Sequence, residues 1–281
     1  MTKMEVRGFL DVISAPRKEQ GDYYDAEGFL VCGKCGTRKQ TDIPCSAAIR
    51  ASGVWRVPVP CRCEEEADRR AHQKEEARKA EEIRRKLLSA SGLSPESCFA
   101  NDNAPESKVS KLCRKYCERL EDAFSDGLGI LFYGGTGTGK SFYAQCIGNE
   151  AIRLCKRVLF VSTSNITIMD ADAQTVFLKR LCKFSALILD DIGAQRGTPY
   201  GSEALYNTIN EWYKIGKPLI ATTNLDVDEI KTEKDITHNR IYDRLLEMCP
   251  IRILVDGESK RAQIAKQKRE AAKRLILGGD E

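Results

Sequence analysis

Three groups of residues combine side-chain type and spacing in ways that could do chemistry. The first is Gly134-Gly135-Thr136-Gly137-Thr138-Gly139-Lys140-Ser141, a glycine-rich run that ends in a cation and a hydroxyl. Glycines so spaced let a loop curl until successive backbone N–H groups point at one anion. Lys140 could then reach the β/γ-phosphates of a nucleotide, and the Ser141 hydroxyl could ligate magnesium. The second group is Asp190-Asp191, two carboxylates directly after Ala186-Leu187-Ile188-Leu189. Paired carboxylates at the end of an apolar run suit a hard divalent cation and the polarisation of a water. The third is Cys32-x-x-Cys35 with Cys61-x-Cys63, four thiolates that would complete a closed, tetrahedral, structural zinc site.

Each group needs elements that place it. The apolar run Ile130-Leu131-Phe132-Tyr133 predicts a strand leading into the glycine-rich loop, and a helix follows from near Lys140 to about Cys155. Strand, G-x-x-x-x-G-K-[ST] loop and helix in that order point to nucleotide binding, with the positive end of the helix dipole added to the loop. Upstream, Ser107 to Phe124 reads as one amphipathic helix. Downstream, strands are predicted at 157–162, 186–191, 218–224 and 251–255, with helices near 170–183, 203–212 and 239–247. In a parallel sheet the strands' C-terminal ends face the ligand. That places Asp190 to hold magnesium and Asp191 to polarise an attacking water. Asn224 ends the fourth strand, and a buried polar tip is costly unless it has work to do; here it would orient water against the γ-phosphate. Arg240 and Arg244 follow on the helix after that strand, and Gly257 to Arg261 opens the last helix.

The first 30 residues show little pattern. Gly33 and Gly36 each follow a cysteine, which suits a tight turn around a metal, and Cys45 could replace one ligand because Cys61-x-Cys63 is closely spaced. So short a segment lacks the apolar content to fold without such a staple. Cys113 and Cys117 share a helix face without two further ligands nearby, and Cys98, Cys146, Cys155, Cys182 and Cys249 read as packing residues. Glu64 to Lys86 holds eight acidic and eight basic side chains. The pairs Glu65/Arg69, Glu66/Arg70, Glu75/Lys79, Glu81/Arg85 and Glu82/Lys86 have the acid four residues before the base, the favourable order on a helix. A helix polar all round does not join a core. The expected organisation is therefore a zinc-binding, partner-binding module over 1–63, a charged helical linker over 64–94 and a nucleotide-binding domain over 95–281.

The formal net charge of +4 permits nucleic-acid contact without arguing for it. No apolar run approaches the roughly twenty residues that span a bilayer, and the first residues lack the apolar core of a signal peptide. These features predict a cytoplasmic protein with no membrane partner, whose twelve cysteines are thiols or metal ligands.

The order of parts, with the phosphate loop followed by ALILDD at 186–191, ATTN at 221–224, RIYDRL at 240–245 and GESKR at 257–261, resembles AAA+ ATPases of the DnaC/DnaI helicase-loader and IstB-like group over about residues 95–275. The resemblance implies an α/β fold: an AAA+ P-loop NTPase core, a parallel five-stranded sheet flanked by helices, with the small N-terminal zinc module attached. It matches Asn224 to the sensor asparagine, Arg244 to the arginine finger with Arg240 as second candidate, and Arg261 to the second sensor arginine. It implies ATP hydrolysis with Mg2+ at the subunit interfaces of an ATP-dependent self-oligomer, with single-stranded DNA along its inside. The N-terminal module would grip a replicative hexameric DNA helicase. Asp190-Asp191 stands where many AAA+ proteins have Asp-Glu, which implies slow hydrolysis stimulated by DNA or partner. Two other readings fit parts of the pattern: an IstB-like transposition helper ATPase acting with a transposase, and a zinc-dependent DNA-binding adaptor whose nucleotide site is structural. A P-loop kinase would leave Asn224, Arg244 and Arg261 without a role.

Overall fold

A computed structural model describes residues 17–44, 54–193, 199–232, 235–257, 259, 268–270 and 272–274. The chain divides into two units, residues 1–80 and 81–281, so residues 81–94, assigned on sequence to the linker, belong to the second unit. Among the described residues no helix is long and apolar enough to cross a membrane.

The first unit is built from very short strands. β1 (Tyr23–Tyr24) pairs antiparallel with β2 (Leu30–Val31), and β3 (Gln40–Pro44) pairs antiparallel with β4 (Val54–Pro58). The Gln40 side chain joins the two pairs by accepting a hydrogen bond from the Leu30 N–H at 2.8 Å. Among its described residues, the buried apolar ones are Phe29, Leu30 and Val31, with Cys32 and Cys61 also buried. α1 (Arg62–Ser91) starts here with Glu64 and Glu65 in its first turn, where negative charge suits the helix N-terminus. Its charge pattern leaves most of it in solvent: Ser91 alone of its residues is buried, and Leu87 and Leu88 in its last turns pack partly buried against the core of the second unit. Of the five expected pairs, Glu66–Arg70 (3.3 Å), Glu75–Lys79 (3.8 Å) and Glu82–Lys86 (2.7 Å) form, while Glu81 reaches Arg84 at 3.7 Å.

In the second unit one helix was expected over 107–124, and two are found. α2 (Lys108–Glu118) is capped by Ser107, whose hydroxyl accepts from the Ser110 N–H, and α3 (Leu120–Ser125) follows a break at Arg119. The break lets Tyr116, Leu120 and Ala123 all reach the core. β5 (Ile130–Tyr133) leads to α4 (Lys140–Arg153), then β6 (Val158–Ser162), α5 (Thr163–Thr167), α6 (Ala171–Leu181) and β7 (Ala186–Ile192). α7 (Pro199–Ile215), β8 (Leu219–Thr223), α8 (Val227–Lys231), α9 (Ile236–Met248) and β9 (Ile251–Leu254) complete the order. The five strands form one parallel sheet in the order β6-β7-β8-β5-β9.

Successive strand residues point to opposite faces, so both faces of this sheet are apolar. Ile130, Phe132, Ile188, Ile220 and Ile253 pack with α2 and α4 in one core. Leu131, Leu187, Leu189, Leu219 and Ala221 pack on the other side with Ile166, Ile209, Trp212 and Leu245 from α5, α7 and α9. Cys113, Cys146 and Cys249 are buried, whereas Cys155 and Cys182 are exposed and correct the expectation that they pack. Both follow helix ends, where the chain turns outward.

Candidate functional site

β5 delivers the chain to the phosphate loop at the C-terminal edge of the sheet. Gly134 adopts φ 129°, and a Cβ there would lie 2.6 Å from the Val255 carbonyl, so only glycine fits. Gly139, at φ 108°, occupies the N-cap of α4, and Thr138 closes the loop by donating to the Gly135 carbonyl at 3.0 Å. Lys140 is buried; its ammonium donates to the Gly134 and Gly135 carbonyls at 2.9 and 2.6 Å and to Asn224 Oδ1 at 2.8 Å. Asn224 Nδ2 in turn donates to Asp191 Oδ1 at 2.7 Å. A continuous polar chain thus joins the ends of β5, β8 and β7. Connections leave these strands in opposite directions, since β5 leads toward β6 and β8 leads past β5 to β9. Such a switch point opens a ligand crevice in an open parallel sheet.

The sequence expectation of a buried Asn224 is corrected: β8 ends at Thr223, and Asn224 is exposed beyond it. Asp190 and Asp191 are both half-buried. Asp190 Oδ1 accepts from the Thr222 hydroxyl at 2.7 Å, and that hydroxyl accepts from the Asp191 N–H at 2.8 Å. Asp191 stands at φ 65°, a left-handed conformation rare outside glycine. Thr163 donates to the Asp191 carbonyl and Thr223 to the Ile192 carbonyl, at 2.8 and 2.7 Å. These threonines were missed on sequence, because β7–β8 pairing brings Thr222 and Thr223 to residues about thirty positions away, and Thr163 arrives from α5. The one signal was the Thr-Thr before Asn224.

The loop, the start of α4 and Lys140 together are an arrangement that could cradle phosphates. The Gly134, Gly135 and Asn224 oxygens that accept from Lys140 are neutral, and a phosphate oxygen is the stronger acceptor for an ammonium. Ser141 in the first turn of α4 and Asp190 at the end of β7 are the oxygen donors suited to Mg2+.

Arg244 lies on α9, with its guanidinium 4.9 Å from the Tyr206 ring and 5.8 Å from the Tyr213 ring, both on α7. Its Nη1 is buried without a hydrogen-bond partner, and the neighbouring guanidinium holds the Tyr206 phenol below its usual range. Arg240, one turn earlier, is exposed. Arg261 lies outside the described residues, as does Cys45. Ser259, from the same closing segment as Arg261, sits against Gly137 so closely that a Cβ on that glycine would collide with its hydroxyl.

In the first unit, the sulfurs of Cys32, Cys35, Cys61 and Cys63 all lie within 4.8 Å of one another. A zinc–sulfur distance of about 2.3 Å gives a tetrahedron with edges of about 3.8 Å, so the quartet could hold a metal with little movement. The Thr37 hydroxyl, 3.0 Å from Cys35 Sγ, helps hold that thiol down at about 5, while burial pushes Cys61 up to about 12. An ion triad centred on the buried Lys39 braces the quartet. Lys39 reaches Asp22 at 3.0 Å and Glu64 at 3.1 Å. Asp22 also accepts from the Gly33 N–H, and Glu64 from the Cys61 N–H. Burial opposes the charge on Lys39, yet its two carboxylates hold it above its usual range.

Among known proteins, the chain is 26% identical over 169 residues to the uncharacterized protein YdaV of Escherichia coli (strain K12), covering 57% of this chain and 67% of YdaV. It is 29% identical over 116 residues to the chromosomal replication initiator protein DnaA of Helicobacter pylori (strain Shi470), covering 40% of this chain and 26% of that one. The chain thus spans about a quarter of the length of this DnaA. Among solved structures, DnaI aligns at TM-score 0.48 and 18% identity, covering 63% of this chain and 93% of DnaI. The DnaC helicase loader aligns at TM-score 0.45 and 20% identity, covering 61% and 99%. The family model described as IstB-like ATP binding protein matches residues 68–271, well over half of the chain, and the protein belongs to this family.

Proposed function

We propose that this protein is an ATPase that loads a replicative hexameric helicase onto single-stranded DNA. The observation that carries its catalytic part is the Lys140–Asn224–Asp191 chain, which ties the phosphate loop to a carboxylate and an amide where a γ-phosphate and an attacking water would meet. Lys140 binds the β/γ-phosphates, Asn224 orients water, and Asp191 polarises it. Ser141 and Asp190 would hold Mg2+, which when bound neutralises developing phosphate charge. Arg244, and after it Arg240, is assigned to the nucleotide of a neighbouring copy, and Arg261 to the chain's own nucleotide. The four-cysteine module takes Zn2+ and binds the helicase, α1 links it to the ATPase domain, and the ATPase oligomer holds the DNA.

The cysteine module favours loading. The family match keeps one alternative open, a transposition helper acting with a transposase. Asp191→Asn is expected to bind ATP with parental affinity and to lose turnover; normal hydrolysis would remove the role given to Asp191. Co-purification of the full chain with a hexameric helicase, lost when Cys32 and Cys35 are both replaced by Ser, would support loading. Capture of a transposase in its place would select the alternative.

A further inference from the structure

The register of the sheet shifts once, between β7 and β8. Leu187, Ile188 and Leu189 pair with Leu219, Ile220 and Ala221, and pairing resumes at Ile192 with Thr223. Two residues, Asp190 and Asp191, therefore stand opposite one, Thr222. This is a β-bulge, a feature that bends a strand and re-aims a side chain. The need for it follows from strand geometry: adjacent residues point to opposite faces, so two consecutive carboxylates on a regular strand diverge. Here the left-handed φ of Asp191 turns it so that its carboxylate meets Asn224, the partner of Lys140.

Such a backbone is strained for a residue other than glycine and persists only where its surroundings enforce it. Thr222 is 1% exposed, and its single hydroxyl makes both contacts that define the bulge. It donates to Asp190 Oδ1 and accepts from the Asp191 N–H. That N–H has left the ladder, and the hydroxyl supplies the acceptor the strand no longer offers. With one Oδ1 lone pair so engaged, Asp190 keeps a fixed orientation and its other oxygen is left for a cation.

We infer that Thr222 is the positioning residue of the paired carboxylates, setting Asp190 for magnesium and turning Asp191 toward the phosphate loop. This inference rests on the ATPase reading for its effect on turnover, but not for its effect on the metal. Outer partners of this kind change metal affinity or activity by about 10- to 100-fold when removed.

The test is Thr222→Val, which keeps the shape and removes the hydroxyl, beside Thr222→Ser, which keeps the hydroxyl. Thr208→Val is the control for losing a buried hydroxyl elsewhere; its oxygen donates to the Ala204 carbonyl within α7. Binding of a fluorescent ATP analogue is titrated with and without Mg2+, and steady-state hydrolysis is measured on the same samples. Thr222→Val is expected to bind nucleotide like the parent without Mg2+. It should need about 10- to 100-fold more Mg2+ for the same gain in affinity and lose turnover by a similar factor. Thr222→Ser should restore both, and Thr208→Val should match the parent. An unchanged Mg2+ requirement in Thr222→Val overturns the inference, as does a Ser variant as impaired as the Val variant. If the parent itself shows no turnover, the ATPase reading fails while the Mg2+ titration still decides the role of Thr222.

Discussion

Removing metal from the cysteine quartet should unfold the first unit and spare the second. The expectation follows from how little else holds that unit together. Among its described residues the buried apolar side chains, cysteines aside, are Phe29, Leu30 and Val31, and fully burying one such side chain contributes about 1.5–3 kcal/mol. Three give roughly 5–9 kcal/mol, whereas fixing the backbone of one residue costs about 1–2 kcal/mol. A handful of ordered residues therefore cancels the core. A structural zinc held by such ligands contributes about 10–16 kcal/mol near neutral pH, enough to decide whether the unit folds. The chain has two tryptophans, the half-buried Trp55 on β4 and the fully buried Trp212 on α7. Fluorescence of a Trp212→Phe protein thus reports on the first unit alone. Elemental analysis should find about one zinc per chain, as one four-thiolate site requires. Chelation, or Ser at both Cys32 and Cys35, should shift the Trp55 emission to that of exposed indole and open residues 17–44 and 54–60 to protease. ATP-analogue binding should not change. A metal-free protein that keeps its Trp55 spectrum and its protease resistance would refute the argument.

Two further outcomes test the nucleotide site. Lys140→Ala removes the cation held by Gly134, Gly135 and Asn224, and should weaken ATP binding by about 2–5 kcal/mol, roughly 30- to 4,000-fold, with the fold intact by circular dichroism. Arg244→Ala should bind ATP nearly as the parent does but hydrolyse it about 10³–10⁵ times more slowly. Mixed with Lys140→Ala under conditions of proven co-assembly, it should recover part of the turnover, because one variant keeps the pocket and the other the arginine; no recovery at any ratio refutes action in trans.

What could be read from the sequence is what consecutive residues decide. The phosphate loop is eight adjacent positions, the Asp190-Asp191 pair is two, and the apolar runs that became β5, β7 and β8 have a length and composition that need no partner to interpret. The parallel five-stranded sheet is less local and follows from resemblance to a family, not from periodicity, while the strand order β6-β7-β8-β5-β9 had no signal in the sequence. Where the reading failed, a tertiary contact overrode a local signal. Arg119 is a good helix former inside a helical pattern, yet the chain breaks there so that Tyr116 and Leu120 both reach the core.

The same reasoning explains why the residues that aim the chemistry stayed hidden. Lys39, Asp22 and Glu64 look like ordinary surface charges in sequence, and only the folded chain shows one ammonium holding the two carboxylates that hold the backbone of the cysteine loops. Thr222 is an unremarked residue in an apolar strand until register sets it against two aspartates at once. In both places a motif supplies the reactive atoms, while a residue distant in sequence determines where they point. A consecutive pair of carboxylates cannot serve one ligand on a regular strand, so the bulge is a requirement that the pair itself imposes. A different residue could satisfy it in a relative of this chain, provided its side chain accepts from the displaced N–H and donates to the first carboxylate. A hydroxyl does both from a single atom, whereas an Asn amide needs two, so Thr or Ser is expected at this site where Asp-Asp ends β7.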